Sequence, residues 1–257
     1  MITNLSVGRY GRFANMLFQI AAVVGIARKS NQSYGFPPLF NYDHRERFGS
    51  TEDIDIEKHF AQPFPRLDRP PSAFIERPYA FGYHDIYLPS GDWALSGHFQ
   101  SERYFAHCIT EVRQLLTMKD EPAMMPEVAV HVRRGDYDNV YHTHIGADYY
   151  AQAIARFPDN TRFLVFSDDI EAAMGIFRSF GKVPSPEFNF VVNQSYLDDF
   201  RMMKRCSHFI TANSSFSLMA AILSDAPGKQ IICPRNWFGP AWKPDTSAIY
   251  PLNSIKL

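Results

Sequence analysis

The stretch that decides the fold runs from Val128 to Asp136 and reads Val-Ala-Val-His-Val-Arg-Arg-Gly-Asp. Its first five residues, Val128 to Val132, are mostly apolar and β-branched, which is typical of a strand buried on both faces. Two arginines, a glycine and a carboxylate follow directly. In a parallel sheet, residues that follow a strand lie at the carboxyl edge, where open α/β folds bind their ligands. The stretch therefore predicts a buried strand with a binding site at its end.

Outward from this strand, the pattern alternates between helices and strands. The predicted helices cover Tyr149 to Phe157, Ile170 to Phe180, Tyr196 to Arg205 and Ser215 to Leu223. The other predicted strands cover Arg162 to Phe166, Phe188 to Val192, His208 to Ala212 and Lys229 to Cys233. This alternation predicts a parallel, doubly wound sheet of the α/β class.

The first half of the chain has a less regular pattern. A glycine-containing turn, Gly8 to Arg12, precedes apolar residues spaced three and four apart from Phe13 to Ala27, which indicates a buried helix. Residues 35–92 are rich in proline, aspartate and aromatic residues and predict loops with short elements. A short strand is predicted at Trp93 to Gly97, and a helix at Glu102 to Met118.

A polar stretch with two prolines, Lys119 to Pro126, separates the halves and is the predicted interdomain linker. A chain of 257 residues has room for two domains of ordinary size. We place a first domain at 1–121 and a second at 122–257, and packing of the last residues back on the first domain is left open.

Composition and charge exclude several classes of function. The formal net charge is −1 and no run of Lys or Arg exceeds a pair, so no broad surface for nucleic acid is expected. Neither a secretory signal nor a membrane-spanning apolar stretch is visible, so we expect a cytoplasmic protein. Cys108, Cys206 and Cys233 are odd in number and widely spaced, which predicts reduced thiols rather than disulfides or a zinc site.

Polar residues close three successive predicted strands. They are His131, Arg133, Arg134 and Asp136, then Asp168 and Asp169, and then Asn213, Ser214 and Ser215. Arginine suits a diphosphate because its planar fork donates in pairs and keeps its charge. Each cluster alone also fits a surface ion pair or a helix N-cap. Three such clusters at one predicted edge favour an anion site.

Seven blocks of the sequence follow one another in an order and spacing found in a known family. They are Gly11 to Gln19, Gly97 to Phe105, His131 to Tyr137, Phe166 to Asp169, Asp198 to Cys206, Asn213 to Ser217 and Pro234 to Phe238. In these blocks the chain resembles the α-1,2-fucosyltransferases of glycosyltransferase family 11. The resemblance implies a GT-B fold, in which two Rossmann-like domains face a central cleft, with an acceptor-side N-terminal domain and a C-terminal domain that holds GDP-fucose.

The resemblance also implies a reaction and its residues. The reaction is an inverting transfer of L-fucose from GDP-β-L-fucose to the 2-hydroxyl of a terminal galactoside, without a metal or another cofactor. Together with the strand-end clusters, it leads us to predict a donor-binding set of His131, Arg133, Arg134, Asp136, Asp168, Asp199, Asn213, Ser214, Ser215 and Phe216, and a catalytic set of Arg133, Asn15 and Asp169. Arg133 would contact the β-phosphate, and Asn15 would face the donor sugar or phosphate; the plainer interpretation of Asn15 is a helix N-cap.

The base that removes the acceptor proton is not determined by the sequence. The candidates are Asp136, Asp168, Asp169, His142 and His144. Asp169 could instead orient Arg133. Asp53-Ile54-Asp55 has the bare spacing of a metal-binding D-x-D, but it lies in the irregular first half and is interpreted as surface.

Three positions depart from the family pattern, and two other interpretations of the function stay open. Ala14 stands where the family usually has glycine, and Leu218 and Met219 stand where it has two tryptophans. We expect these to change backbone freedom and packing or acceptor shape rather than chemistry. The alternatives are a fucosyltransferase of another linkage, α-1,6 or protein O-linked, and a non-catalytic nucleotide- or glycan-binding protein. The acceptor, the oligomeric state and a peripheral membrane contact through a lipid-linked acceptor are also open.

Overall fold

The computed structural model of the protein describes residues 1–40, 55–77, 81–137, 140–178 and 187–257. The chain divides into two compact units. The first comprises Met1–Lys119 and Pro244–Leu252, and the second comprises Asp120–Lys243 and Asn253–Leu257. The roles expected for the two domains stay predictions.

The first unit contains a small parallel sheet and a long helix. Its described strands are β1 (Ile2–Asn4), β2 (Ala73–Arg77) and β3 (Trp93–Gly97), and its described helices are α1 (Phe13–Lys29) and α2 (Ile109–Leu115). The strands pair in the order β1-β3-β2. The strand predicted at β3 is confirmed, whereas β1 has only three residues, which is too few to show a pattern.

Helix α1 is apolar on nearly every side. From Phe13 to Ala27 every residue except Asn15 is buried. A helix of this kind runs through a core rather than across a surface, as the apolar spacing predicts. Within the described residues no helix has both the length and the apolar character that crossing a membrane requires.

The helix predicted over Glu102 to Met118 is partly wrong. Two short 3-10 turns, Glu102–Tyr104 and Ala106–Cys108, precede α2. Phe105 has φ of −134°, is fully buried and places its ring 6.3 Å from that of Phe18 in α1. Gly25 lies against the backbone of this segment, where any Cβ would overlap it. This close packing on α1 overrides the helical periodicity.

The second unit contains one parallel sheet with helices between its strands. Its strands are β4 (Met125–Val132), β5 (Arg162–Ser167), β6 (Glu187–Phe190), β7 (Cys206–Ile210), β8 (Ile231–Cys233) and β9 (Ile255–Lys256). Its described helices are α3 (Ala147–Ile154), α4 (Ile170–Arg178), α5 (Tyr196–Lys204) and α6 (Ser215–Leu223). The order β6-β5-β4-β7-β8-β9, parallel throughout, confirms the predicted α/β sheet.

The ends of these elements differ from the predictions by a few residues. Strand β4 begins at Met125 and so includes Pro126, which the sequence placed in the linker. Its pairing with β7 shifts register between Met125 and Val128, around that proline, which cannot donate a ladder hydrogen bond. Residues 179 and 180 of the helix predicted up to Phe180 lie outside the described residues.

The core of the second unit lies between β4, β5 and helix α3. Val128, Val130 and Val165 belong to one buried cluster with Tyr149 and Tyr150 of α3. Tyr150 donates its hydroxyl to the carbonyl of His131 (3.0 Å), and Tyr149 donates to the carbonyl of Thr211 (2.7 Å). Helix α3 therefore fixes the carboxyl ends of β4 and β7. The predicted thiols, Cys108, Cys206 and Cys233, are free.

Candidate functional site

The three predicted polar clusters of the second unit meet at one edge of its sheet. Strand β4 lies between β5 and β7, with Val132 opposite Ser167 and Val130 opposite Ile210. Because the three strands are parallel, the residues that follow them emerge on the same side. The sheet therefore brings together the clusters that begin at Arg133, Asp168 and Asn213.

Arg133 is held between two carboxylates. Its Nη1 lies 2.7 Å from Oδ2 of Asp168, and its Nη2 pairs with Oδ1 of Asp136. The guanidinium also lies 5.4 Å from the ring centre of Tyr137. The side chain is 14% exposed, against 23% for Asp168 and 42% for Asp136. Asp168, the less exposed of the two carboxylates, therefore orients the guanidinium. Solvent reaches the guanidinium mainly beside Asp136.

Asp168 organises the loop that follows β4. Its Oδ1 accepts a hydrogen bond from the backbone N–H of Arg134 (2.8 Å), while Oδ2 pairs with Arg133. A Cβ at residue 135 would overlap the Asp168 carboxylate, so any residue larger than glycine would displace that carboxylate. One carboxylate therefore fixes both the backbone and the side chain of the loop.

Asp169 and Asp168 have different partners. Its Oδ1 accepts the backbone N–H of Ala172 (2.9 Å), which makes it the N-cap of α4. Its own N–H donates to Oγ of Ser167 (3.0 Å). The suggestion that Asp169 orients Arg133 is corrected, because Asp168 makes that contact and the Asp169 side chain turns to the helix. Whether Asp169 takes part in catalysis stays a prediction.

Arg134 enters the interior of the second unit. Its Nη2 donates to the carbonyl of Ile145 (2.8 Å), and its buried Nη1 has no acceptor among the described residues. A buried cationic donor without an acceptor costs free energy, and such a group calls for an explanation such as a bound ligand. The sequence predicted that Arg134 contacts the nucleotide-sugar donor. In the structure its guanidinium bonds to Ile145 inside the second unit.

His131 is buried below the same edge. It is 6% exposed, and its Nδ1 lies 2.9 Å from Oγ of Ser217 in α6. Burial, followed by the charge of Arg133, lowers the pKa of His131 to about 3. The imidazole is therefore neutral at neutral pH and adds no positive charge to the site.

The third cluster begins helix α6. Ser214 is its N-cap and accepts a hydrogen bond from the N–H of Phe216 (3.3 Å). Asn213 is 1% exposed, and its Nδ2 donates to the carbonyls of Thr143 (2.9 Å) and Trp237 (2.7 Å). Asn213 therefore holds two neighbouring loops in place, while the half-buried hydroxyls of Ser214 and Ser215 lie at the helix N-terminus, where anions are favoured.

Asp199 lies in the first turn of α5. Its buried Oδ1 has no hydrogen-bond donor in the described part of the chain. Burial, with a smaller contribution from Asp198, raises the pKa of Asp199 to about 6. The ring centre of the next residue, Phe200, lies 5.3 Å from the ring centre of Phe216 at the start of α6. Asp199, which is predicted to contact the nucleotide, therefore has a buried oxygen that accepts no hydrogen bond within the described residues.

Tyr137 is a site residue that the sequence reasoning did not single out, although it closes the block that begins at His131. Its hydroxyl donates to the carbonyl of Asn213 (2.7 Å), which ties the β4 loop to the β7 loop. Two candidate bases surround it. His142 stacks on its ring at 4.8 Å, and His144 places Nε2 2.8 Å from its carbonyl. These contacts give both histidines a structural role.

Asn15 lies in the first unit, in the first turn of α1. Arg12 is the N-cap residue of α1, so the plainer interpretation of Asn15 as an N-cap is wrong. Oδ1 of Asn15 accepts a hydrogen bond from Nε2 of Gln100. Gly11, with φ of +81°, lies against the Asn15 amide so closely that any Cβ would overlap it. Gln100 belongs to the block that begins at Gly97, but no role was predicted for it.

The D-x-D and the departures from the family pattern concern other residues. Asp53 and Ile54 of the D-x-D lie outside the described residues, and Asp55 accepts the N–H of Glu57 (3.1 Å). Across residues 1–40, 55–77, 81–137, 140–178 and 187–257, no group of three His, Cys, Asp or Glu side chains is arranged for a metal ion. Leu218 and Met219 are fully buried, so their departure from the family pattern changes core packing.

The chain is similar to two proteins of Escherichia coli. Over 122 residues the chain is 33% identical to the O-antigen biosynthesis glycosyltransferase WbnK of Escherichia coli, covering 43% of this chain and 38% of that one. Over 160 residues it is 31% identical to an alpha-1,2-colitosyltransferase of Escherichia coli, covering 55% of each. The matched stretch thus spans about half of these relatives or less.

The fold has relatives among solved structures. The crystal structure of POFUT1 in complex with GDP-fucose matches with a TM-score of 0.51 at 12% identity, covering 100% of this chain and 97% of that one. This likeness confirms the fold class expected from the resemblance, the GT-B type with two Rossmann-like domains. The profile of Glycosyl transferase family 11 matches residues 84–251, which is well over half of the sequence. The chain therefore belongs to glycosyl transferase family 11.

Proposed function

We propose that the protein transfers L-fucose from GDP-β-L-fucose to the 2-hydroxyl of a terminal galactoside, with inversion and without a metal ion. The observation that carries the proposal is the guanidinium of Arg133, which Asp168 orients at the carboxyl edge of a parallel sheet. Membership of family 11 and the GT-B fold support the choice of a nucleotide sugar as the ligand.

A ligand can displace Asp136 from its ion pair with Arg133. Asp136 is the more solvent-accessible of the two carboxylates that hold the guanidinium. A β-phosphate can take its place, since phosphate oxygens accept the same paired hydrogen bonds from arginine. Asp168 keeps the guanidinium in position during the exchange. The diphosphate then meets an oriented positive charge with little reorganisation.

In the transfer step, the acceptor oxygen bonds to the anomeric carbon while the bond from that carbon to the phosphate oxygen breaks. Both electrons of the broken bond leave with GDP, and the hydroxyl proton passes to a base. Negative charge therefore grows on the phosphate that Arg133 contacts. A preorganised donor at such a position is worth about 3–4 kcal/mol of transition-state stabilisation.

The remaining predicted residues have distinct proposed roles. Ser214 and Ser215 bind phosphate oxygens at the N-terminus of α6, and Arg134 adds charge behind the loop. The neutral His131 and the unused acceptor of Asp199 bind the nucleoside, with Phe216 beside His131. Asn15 donates a hydrogen bond to the sugar or phosphate.

Colitose is a second candidate for the transferred sugar. The relative that shares 31% identity over 160 residues is named for α-1,2 transfer of colitose. Colitose is L-fucose without its 3-hydroxyl group, so a site for one accommodates the shape of the other. Specificity between them would depend on whether a protein group hydrogen-bonds the 3-hydroxyl.

The test is to incubate the purified protein in EDTA with GDP-fucose or GDP-colitose and a panel of β-galactosides, including lactose. GDP release and the linkage of the product are measured together. We expect GDP release that the acceptor stimulates and a product linked α-1,2 to galactose. A product with an α-1,6 linkage would contradict the linkage, and GDP-sugar binding without any transfer to an acceptor would favour the non-catalytic alternative.

A further inference from the structure

We propose that Tyr137 is a positioning residue that fixes Arg133 relative to the start of helix α6, so that one diphosphate can bind to both. Its ring supports the guanidinium of Arg133, and its hydroxyl is tied to the residue before the N-cap of α6. All of these residues belong to the second unit. The identity of the diphosphate rests on the proposed function, whereas the contacts of Tyr137 do not.

The ring of Tyr137 supports Arg133 without using any of its N–H groups. The central carbon of the guanidinium lies 5.4 Å from the centre of the ring, where the positive charge is attracted to the negative face of the aromatic system. Asp168 and Asp136, by contrast, each bind the guanidinium through its nitrogens. A partner that binds through a ring rather than through an acceptor atom leaves the N–H groups of Arg133 for phosphate oxygens.

The hydroxyl of Tyr137 fixes where this ring lies. It donates to the backbone carbonyl of Asn213 (2.7 Å), a group that can only accept. Asn213 is 1% exposed, and its side-chain amide donates to the carbonyls of Thr143 (2.9 Å) and Trp237 (2.7 Å). The acceptor of the Tyr137 hydroxyl is therefore held by the interior of the second unit.

The loop that carries the arginine is held at its beginning and at its end. Near its beginning, Asp168 accepts a hydrogen bond from the N–H of Arg134 (2.8 Å). At its end, the N–H of Tyr137 donates to the carbonyl of Arg134 (2.9 Å), which closes a turn over the exposed Gly135 and Asp136. The bond from the Tyr137 hydroxyl then joins this turn to the segment that follows β7.

The residue after Asn213 begins the other half of the proposed phosphate site. Ser214 is the N-cap of α6, and the side chains of Ser214 and Ser215 are half-buried at a helix terminus that favours anions. A diphosphate that binds both to Arg133 and to this terminus must span the distance between them. Tyr137 contacts both halves, and it can therefore set that distance without touching the diphosphate.

The test is to measure the affinities for GDP and for GMP, which lacks the phosphate that Arg133 is proposed to contact, by competition with a fluorescent GDP. Tyr137→Phe keeps the ring and removes the hydroxyl bond, so the dissociation constant for GDP should rise about 3- to 10-fold. Tyr137→Leu removes the ring as well, and the rise should be about 30- to 100-fold. The dissociation constant for GMP should stay within about twofold in both variants, since the β-phosphate is missing.

The matched control is Tyr149→Phe, which removes a bond of the same kind in the same unit, from the Tyr149 hydroxyl to the carbonyl of Thr211 (2.7 Å). It should lower the melting temperature, and any change in affinity should be the same for GDP and GMP. If Tyr137→Leu also weakened GDP and GMP by the same factor, the proposal would be overturned, because that result indicates general damage to the loop.

A double-mutant cycle tests whether Tyr137 acts through Arg133. In the Arg133→Ala background, Tyr137→Leu should weaken GDP binding by less than about twofold, since the group that it positions is gone. A loss as large as the one in the wild-type background would overturn the proposal, because Tyr137 would then act on GDP independently of Arg133.

A further readout needs no ligand. In protein labelled with ¹⁵N-arginine, the Nε–H signal of Arg133 is identified by its loss in Arg133→Ala. Because an aromatic ring shifts the signals of groups over its face, this signal should move in Tyr137→Leu and keep its position in Tyr149→Phe. An unchanged signal in Tyr137→Leu would overturn the proposal even if GDP-fucose is the donor. A signal that moves in a protein that binds neither GDP nor GMP would refute the proposed function instead.

Discussion

Two parts of the molecule hold their predicted ligand groups by opposite means. At the sheet edge of the second unit, Arg133 is held by charge, between Asp168 and the exposed Asp136. At the start of α1 in the first unit, Asn15 is held by a neutral amide and a glycine turn. Charge gives strength but depends on pH and salt, whereas paired amides give direction and depend on neither. Substitutions in the charged site should therefore cost more activity.

The largest effect is expected at the centre of the charged site. Arg133→Ala should lower kcat/KM for GDP-fucose by about 10³-fold, because it removes the oriented charge beside the leaving group. The matched control is Arg162→Ala, which breaks a 2.7 Å ion pair with Glu127 at the other end of β5. The Arg162 side chain of that pair is largely exposed, so the loss of the ion pair should change kcat/KM by less than about twofold. Equal losses in the two variants would contradict the comparison.

A smaller effect should separate the two neighbouring aspartates. Asp168→Asn weakens the hold on Arg133, and we expect kcat/KM to fall by about 10- to 100-fold. Asp169→Asn keeps a good N-cap for α4, and we expect less than about a threefold change with an unaltered melting temperature. Steady-state kinetics on both variants measure these two losses. A loss above 10²-fold in Asp169→Asn alone would instead identify Asp169 as the catalytic base.

The smallest effect concerns pH. The pKa of Asp199 is raised to about 6, so the folded protein binds an extra proton between about pH 4 and pH 6. The contribution of Asp199 to stability therefore falls as pH rises through that window. If its carboxylate accepts hydrogen bonds from the nucleoside, GDP should bind more weakly as pH falls below 6.

Calorimetric titration of GDP from pH 5 to pH 8 measures this dependence. Asp199→Asn should flatten the profile. Asp198→Asn, a change at the exposed neighbouring carboxylate, should keep its shape and move it to lower pH, because the charge of Asp198 contributes to the raised pKa of Asp199. A profile that is the same in the wild type and in Asp199→Asn would remove Asp199 from the nucleoside site.

The charged site was largely predictable from the sequence, because its parts follow strands whose pattern is strong. Val128 to Val132 predicts a buried strand, and parallel pairing then places Arg133 and Asp168 together. The division of work between Asp168 and Asp169 was not predictable, since two adjacent carboxylates look alike until the direction of each side chain is known. The local geometry of the N-cap decides between them.

The neutral site was harder to foresee. Asn15 was selected by resemblance, whereas Gln100 lies 85 positions away along the chain, and nothing in its own residue type indicates that contact. The turn that carries it depends on a left-handed Phe99, and the helix predicted from Glu102 fails because Phe105 packs on α1. Both features are decided by tertiary packing, which overrides local preference.

We propose that the protein binds GDP-fucose through its own cationic groups. The most direct test is a calorimetric titration of the wild-type protein with GDP-fucose in EDTA, repeated with excess magnesium. We predict one site per chain with a dissociation constant between about 1 μM and 1 mM that is the same in both buffers. Binding that requires magnesium would contradict the metal-free site, and the absence of binding in both buffers would contradict the assignment of GDP-fucose as the donor.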